Sequence, residues 1–224
     1  MKKKLYITLG SVVILLAVIA ASVFLFLTRD VEPATGDFEL SGTWKLFTYN
    51  TAMTDEQYLV FEDETVTGYK NRNSTPNITS KFEYSASGLT LTDLGLEYKV
   101  DKMTDNYLAL YDLNVTEYAL VRSAGDGITY QDFDWSLLDG TWDVVLHGKD
   151  FVGNEQMVFD GNTMKDYRDG NATPYLESSY TIKEKGMLVV DSIGLELNLC
   201  YLDADLAILV ETQTGYAYEL TRHK

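Results

Sequence analysis

Leu40-Ser41-Gly42-Thr43-Trp44 returns later in the chain as Leu138-Asp139-Gly140-Thr141-Trp142. Working outward at the same spacing, Phe61 matches Phe159, Thr65 matches Thr163, Tyr69 matches Tyr167 and Pro76 matches Pro174. Near the ends, Tyr118-x-Leu120-x-Arg122 returns as Tyr218-x-Leu220-x-Arg222. Residues 38–122 are thus repeated by residues 135–222, and a self-similarity of that length means two copies of one folding unit. Each copy is about 85 residues, enough for a small core of its own. The shared positions are apolar, aromatic or turn residues, so they specify architecture and not chemistry.

Inside each copy the apolar period is two. Trp44 and Leu46 share one face of Gly42–Tyr49, and Lys45 and Phe47 the other. Leu96, Tyr98 and Val100 alternate with Glu97, Lys99 and Asp101; in the second copy Leu195, Leu197 and Leu199 alternate with Glu196, Asn198 and Cys200. Turn residues at 63–64, 74–77, 87–88, 93–95, 104–106 and 112–114 delimit short strands, about eight per copy. Only Phe38–Ser41 and Trp135–Asp139 read as helical turns. Consecutive antiparallel strands with one apolar face remove their edges by closing. The expected fold is all-β: two tandem up-and-down antiparallel barrels after an N-terminal transmembrane helix, with a pair of small sandwiches as the alternative.

The first 27 residues stand apart. Lys2-Lys3-Lys4 precede an uncharged, mostly apolar run from Leu5 to Leu27. As a helix it would be about 34 Å long, enough for a hydrocarbon core of roughly 30 Å. The basic start places the N-terminus in the cytoplasm and the rest outside. This reads as a single-pass anchor through residues 5–27; cleavage as a signal peptide, followed by secretion, is the alternative. Residues 28–37 form a polar stalk, 38–122 the first barrel, 123–134 a linker and 135–224 the second barrel.

The chain carries 18 basic and 34 acidic residues, a net charge of −16. Lys2, Lys3, Lys4, Arg29 and Asp30 fall in the first 30 positions, so residues 31–224 carry −19. Such a field excludes nucleic acid as a partner and repels anionic headgroups. Cys200 is the single cysteine, so no intrachain disulfide supports the domains. The N-x-Ser/Thr sequons beginning at Asn73, Asn77, Asn114 and Asn171 are glycosylation acceptors only in a eukaryotic setting.

A Gly-x-Trp opening the first strand, with an Arg ending the last, resembles the pattern of the lipocalins and their relatives. The Leu-x-Gly-Thr-Trp openings, Leu59-Val60-Phe61 or Met157-Val158-Phe159, and the Tyr-x-Leu-x-Arg endings are similar to the short lipocalin-like domains of bacterial surface proteins. The resemblance implies that the Arg packs over the indole and closes one end of each barrel. The residues concerned are Gly42, Trp44 and Arg122, then Gly140, Trp142 and Arg222. Both copies are shorter than ordinary lipocalins and lack their disulfides and C-terminal helix, which points to shallow interiors.

An eight-stranded barrel holds either side chains or one small ligand. If a small apolar or amphipathic molecule binds, the expected place is the mouth of each barrel. Tyr69, Lys70, Tyr167 and Arg168 are the candidates, being the aromatic–cationic pairs present in both copies. The alternative is a structural or protein-interaction role with filled barrels. No catalytic residue, metal ligand or cofactor is expected. His147 and His223 are the only histidines, and His147 reads as a solvated strand-end residue with no nucleophile placed beside it. The Asp203/Asp205 and Asp132/Asp134 pairs do not extend into a calcium loop. The chain reads as a binding or interaction module and not an enzyme.

Overall fold

Short strands joined by tight turns pair with their sequence neighbours, and the last strand must return to the first if no edge is left open. The computed structural model describes residues 39–52, 54–85, 87–129, 131–148 and 154–224. The basic start, the apolar run 5–27, the stalk and Phe38 lie outside the described residues. Among the described residues, no helix is long and apolar enough to cross a membrane.

Barrel 1 comprises β1 (Gly42–Thr48), β2 (Gln57–Glu62), β3 (Thr65–Lys70), β4 (Ile78–Ser85), β5 (Gly88–Leu91), β6 (Leu96–Thr104), β7 (Tyr107–Asp112) and β8 (Glu117–Arg122). Barrel 2 repeats it as β9 (Gly140–His147), β10 (Glu155–Asp160), β11 (Thr163–Arg168), β12 (Leu176–Lys183), β13 (Met187–Val190), β14 (Leu195–Leu202), β15 (Leu206–Glu211) and β16 (Ala217–Arg222). Both are closed antiparallel barrels, not sandwiches. Closure comes from β1 pairing with β8, Trp44 opposite Arg122, and from β9 pairing with β16, Trp142 opposite Arg222. Each barrel even has its irregularity at the same place, Val100/Lys102 and Leu199/Tyr201.

The residues shared by the copies build one end of each barrel. Trp44 and Trp142 are fully buried, and their indole Nε1 atoms donate to Leu40 O at 2.8 Å and Leu138 O at 2.7 Å. The Arg122 guanidinium lies 4.4 Å over the Trp44 ring, and Arg222 lies 3.7 Å over Trp142. Arg122 donates to the carbonyls of Glu39, Ser41 and Asp105; Arg222 donates to those of Leu137, Asp139 and Ala204. The glycine before each Trp has φ of +110° at Gly42 and +126° at Gly140. A Cβ there would meet the Arg Nη1 at 3.1 Å and 2.4 Å, so side chain and backbone angle both demand glycine. The segment before Trp142 is a 3-10 turn, Trp135–Leu138, capped by Asp134. Its counterpart, residues 39–41, carries no helical turn.

Inward residues of each barrel form separate cores around Trp44, Phe61 and Leu108, and around Trp142, Phe159 and Leu209. A third core joins the barrels through their outer faces. Phe47, Tyr107, Ala119 and Val121 of barrel 1 pack with Cys200, Ile208, Val210 and Ala217 of barrel 2. Strands buried on both faces read as unbroken apolar runs, which explains Tyr107-Leu108-Ala109-Leu110 and Ala207-Ile208-Leu209-Val210.

Polar groups inside this contact are matched in part: among the described residues the Tyr49 and Tyr107 hydroxyls and His147 Nδ1 have no hydrogen-bond partner, whereas Lys45 bridges the barrels. Lys45, 1% exposed, donates to Asn198 Oδ1 at 2.8 Å and to Glu56 Oε1 at 3.0 Å. Burial pushes the Glu56 carboxyl up, but Lys45 and Arg72 outweigh it and hold it below the usual range. His147 is not a solvated strand-end residue: it is buried, stacks on Tyr107 at 4.2 Å, and sits with Nε2 2.9 Å from Glu219 Oε2. Cys200 is buried in the same contact, where desolvation pushes its thiol up to about 11 and keeps it protonated. All sixteen strands and all three cores belong to the compact unit Pro33–Lys224, so this unit carries what it needs to fold alone.

Candidate functional site

With one end of barrel 1 closed by Leu40, Trp44 and Arg122, the other end is where the interior meets solvent. Its rim is formed by the turns β1–β2, β3–β4, β5–β6 and β7–β8. Behind the rim lies a cavity of about 230 Å³, floored by leucines including Leu59, Leu89 and Leu120. Its mouth is set by Leu46, Gln57, Asn77, Leu96, Tyr98 and Tyr118. No charged side chain is among its lining residues.

Gly68 makes the space. It lies on the inward parity of β3 with Val66, opposite Ile78. A Cβ at Gly68 would sit 2.4 Å from Ile78 Cγ1 and 3.3 Å from Asn77 Oδ1, so the wall there is backbone, covered by those two side chains. Tyr98 and Tyr118 meet edge to face at 5.8 Å. Burial pushes both phenols up, and Asp112 raises Tyr118 further, so both remain hydroxyl donors. The Tyr118 hydroxyl donates to Asp112 Oδ2 at 3.3 Å. The side-chain amides of Gln57 and Asn77 and the Tyr98 hydroxyl make no hydrogen bond to protein among the described residues.

An apolar collar lines one side of this mouth. Leu94 and Leu96 at the β5–β6 turn, and Leu113 and Val115 at the β7–β8 turn, are exposed; Leu113 is 79% exposed. Val115 also has φ of +64°, a conformation that costs a β-branched residue of order 1–3 kcal/mol. The matching position of barrel 2 is Gly215, with φ of +77°, where that strain is absent.

Barrel 2 is chemically different at the corresponding end. Gln57, Gly68 and Lys70 are replaced by Glu155, Asp166 and Arg168. Glu155 and Asp166 are buried, with Arg168 Nη2 3.1 Å from Asp166 Oδ2 and 3.7 Å from Glu155 Oε1. Among the described residues, Glu155 Oε2 and Asp166 Oδ1 have no hydrogen-bond partner. Two carboxylates against one guanidinium leave a surplus negative charge in a desolvated place. Burial, then the Asp166 charge, pushes Glu155 up to about 7; burial also raises Asp166, against the pull of Arg168. The exposed ring of Tyr175 stacks 3.8 Å from the Arg168 guanidinium and caps the cluster.

The four residues expected at the mouths divide by parity. Tyr69 and Tyr167 share the face of Thr65 and Lys165, opposite to Gly68 and Asp166. Tyr69 borders both the interior cavity and an outer groove with Val60 and Thr67. Lys70 stands at the rim with Nζ 2.7 Å from Asp55 Oδ2. Arg168 points to the buried acids. Gly68, Gln57 and Asn77 were not singled out from the sequence. The available signal was disagreement between the copies at inward positions, not agreement. Among the described residues no group of three or more His, Cys, Asp or Glu is placed to hold a metal ion.

Comparison with known proteins finds no family model that matches this chain and no matching curated relative.

Proposed function

We propose that this chain is a non-catalytic binding protein of lipocalin-like architecture, held at the outer face of a cell membrane by residues 5–27, with its ligand site inside barrel 1. The observation that carries the reading is the cavity of about 230 Å³ behind an apolar collar. At about 30 Å³ per atom this volume takes roughly eight non-hydrogen atoms, below the usual range for drug-sized ligands. The ligand is therefore a small apolar or amphipathic molecule. Barrel 2, whose matching interior holds Glu155, Asp166 and Arg168, serves as a partner that buries the outer faces of β1, β7 and β8.

A fluorescent apolar probe of the aminonaphthalene type, titrated into residues 33–224, tests the reading. Leu96 is 43% exposed and lines the mouth, so Leu96→Trp covers the entrance without disturbing the core. Saturable emission gain in the parent and its loss in a Leu96→Trp variant that melts like the parent is the expected result. Probe uptake unaffected by that substitution would remove barrel 1 as the site.

A further inference from the structure

We infer that the head group of the barrel 1 ligand is uncharged and hydrogen-bonding, of the alcohol, carbonyl or amide class, and that it is held by Gln57 and Asn77. This rests on the barrel 1 site proposed above and names its ligand chemistry. The cavity has no charged lining residue, so a carboxylate or ammonium drawn inside would lose its hydration without gaining a counter-ion. Two of the charges near the mouth, Asp112 and Lys70, are already engaged. Asp112 accepts from the backbone N–H groups of Asn114 and Thr116 and from Tyr118. Lys70 is paired with Asp55.

Within the cavity lining the polar groups are neutral. The amides of Gln57 and Asn77 and the Tyr98 hydroxyl supply donors and acceptors with no protein partner among the described residues. Gln57 opens β2 and Asn77 immediately precedes β4, so the two bracket Gly68 of the intervening strand at the rim. A chain with its apolar end on the leucine floor brings its head group to these amides. Primary amides both donate and accept, so they suit hydroxyl and carbonyl groups alike. The contrast with barrel 2 supports the assignment. Where Gln57 and Gly68 leave a neutral opening, Glu155 and Asp166 fill the space with charge.

The test compares 1-octanol, octanoate and octylammonium, which share a chain of about the right volume, by isothermal titration into residues 33–224 at pH 7. Octanol is expected to bind at least tenfold more tightly than either ion. Gln57→Leu should weaken octanol about five- to tenfold, the loss of one hydrogen bond, while apolar-probe uptake persists. Octanoate or octylammonium binding as tightly as octanol, with the probe still entering, would overturn the head-group assignment and leave the site standing. Equal octanol affinity in the parent, Gln57→Leu and Asn77→Leu would overturn the role of the amides. No binding of any octyl compound or of the probe would overturn the barrel 1 site itself.

Discussion

Replacing Lys45 by Met should loosen the two barrels from one another while leaving both closed. Lys45 is on the outward face of β1, and its ammonium bonds Asn198 at 2.8 Å and Glu56 at 3.0 Å. Met keeps an apolar stem but removes the charge, and with it the ammonium's contacts over the Phe47 and Tyr58 rings at 5.8 Å and 5.2 Å. Glu56 would retain Arg72 Nε at 3.0 Å, so no uncompensated buried carboxylate is left, and the 3–5 kcal/mol expected for a fully broken buried pair does not apply. The remaining loss is one charge-assisted hydrogen bond and a buried Asn198 oxygen with only the Cys200 thiol, at 3.8 Å, beside it. Together these come to roughly 2–4 kcal/mol. For a body of this size that is a fall in Tm of about 4–16 °C. The control is Lys70→Met, whose partner Asp55 is part-exposed and whose own side chain is 47% exposed; solvent screening keeps that pair's contribution small. Thermal melts followed by far-UV and tryptophan signals give both values. A Lys45→Met protein within 0.5 kcal/mol of its parent, or indistinguishable from Lys70→Met, would refute the buried bridge between the barrels.

Val115→Gly should raise stability by about 1 kcal/mol through relief of its left-handed backbone, yet weaken probe binding by removing part of the collar; a melt and a titration on the same sample check both signs. Glu155→Gln should change the pH profile. The folded carboxyl, near pH 7, keeps a proton that the unfolded chain gives up near 4.5, so the parent loses stability as pH rises from about 4.5 to 7. The Tm of the variant relative to the parent should climb over that window and level above it; parallel profiles would show that the Glu155 carboxyl is not raised in the folded protein. Trp44→Ala should cost roughly 3–5 kcal/mol and, through Arg122, open the closed end of barrel 1, with amide exchange in β1 and β8 reporting the opening.

The sequence reads most clearly where both copies had to keep the same physics. Gly42, Trp44 and Arg122 recur because glycine alone fits under a guanidinium that caps a buried indole, and period-two strands follow from a one-sided interior. The joint between the barrels was harder to read. Lys45 and His147 look like solvent-facing residues on outward parity, and only the presence of the other barrel's apolar face turns them inward. The doubly apolar β7 and β15 carried that message, but local pattern does not say which surface covers them. The site was the least legible part. Tyr69 and Tyr167 recur and invite attention; Tyr69 borders the barrel 1 cavity, although β parity sets both on the face opposite to Gly68 and Asp166. Gly68, Gln57 and Asn77 matter through space left empty, which a sequence does not display.

Native mass spectrometry of the protein taken gently from its source cells tests the central claim most directly. The account predicts one bound molecule per chain, of roughly 100–130 Da from the cavity volume, released on denaturation and absent from a Leu96→Trp preparation. A bare protein mass in the parent, together with failure of the apolar probe to enter, would mean that barrel 1 is a filled structural barrel and that the chain acts through its outer faces.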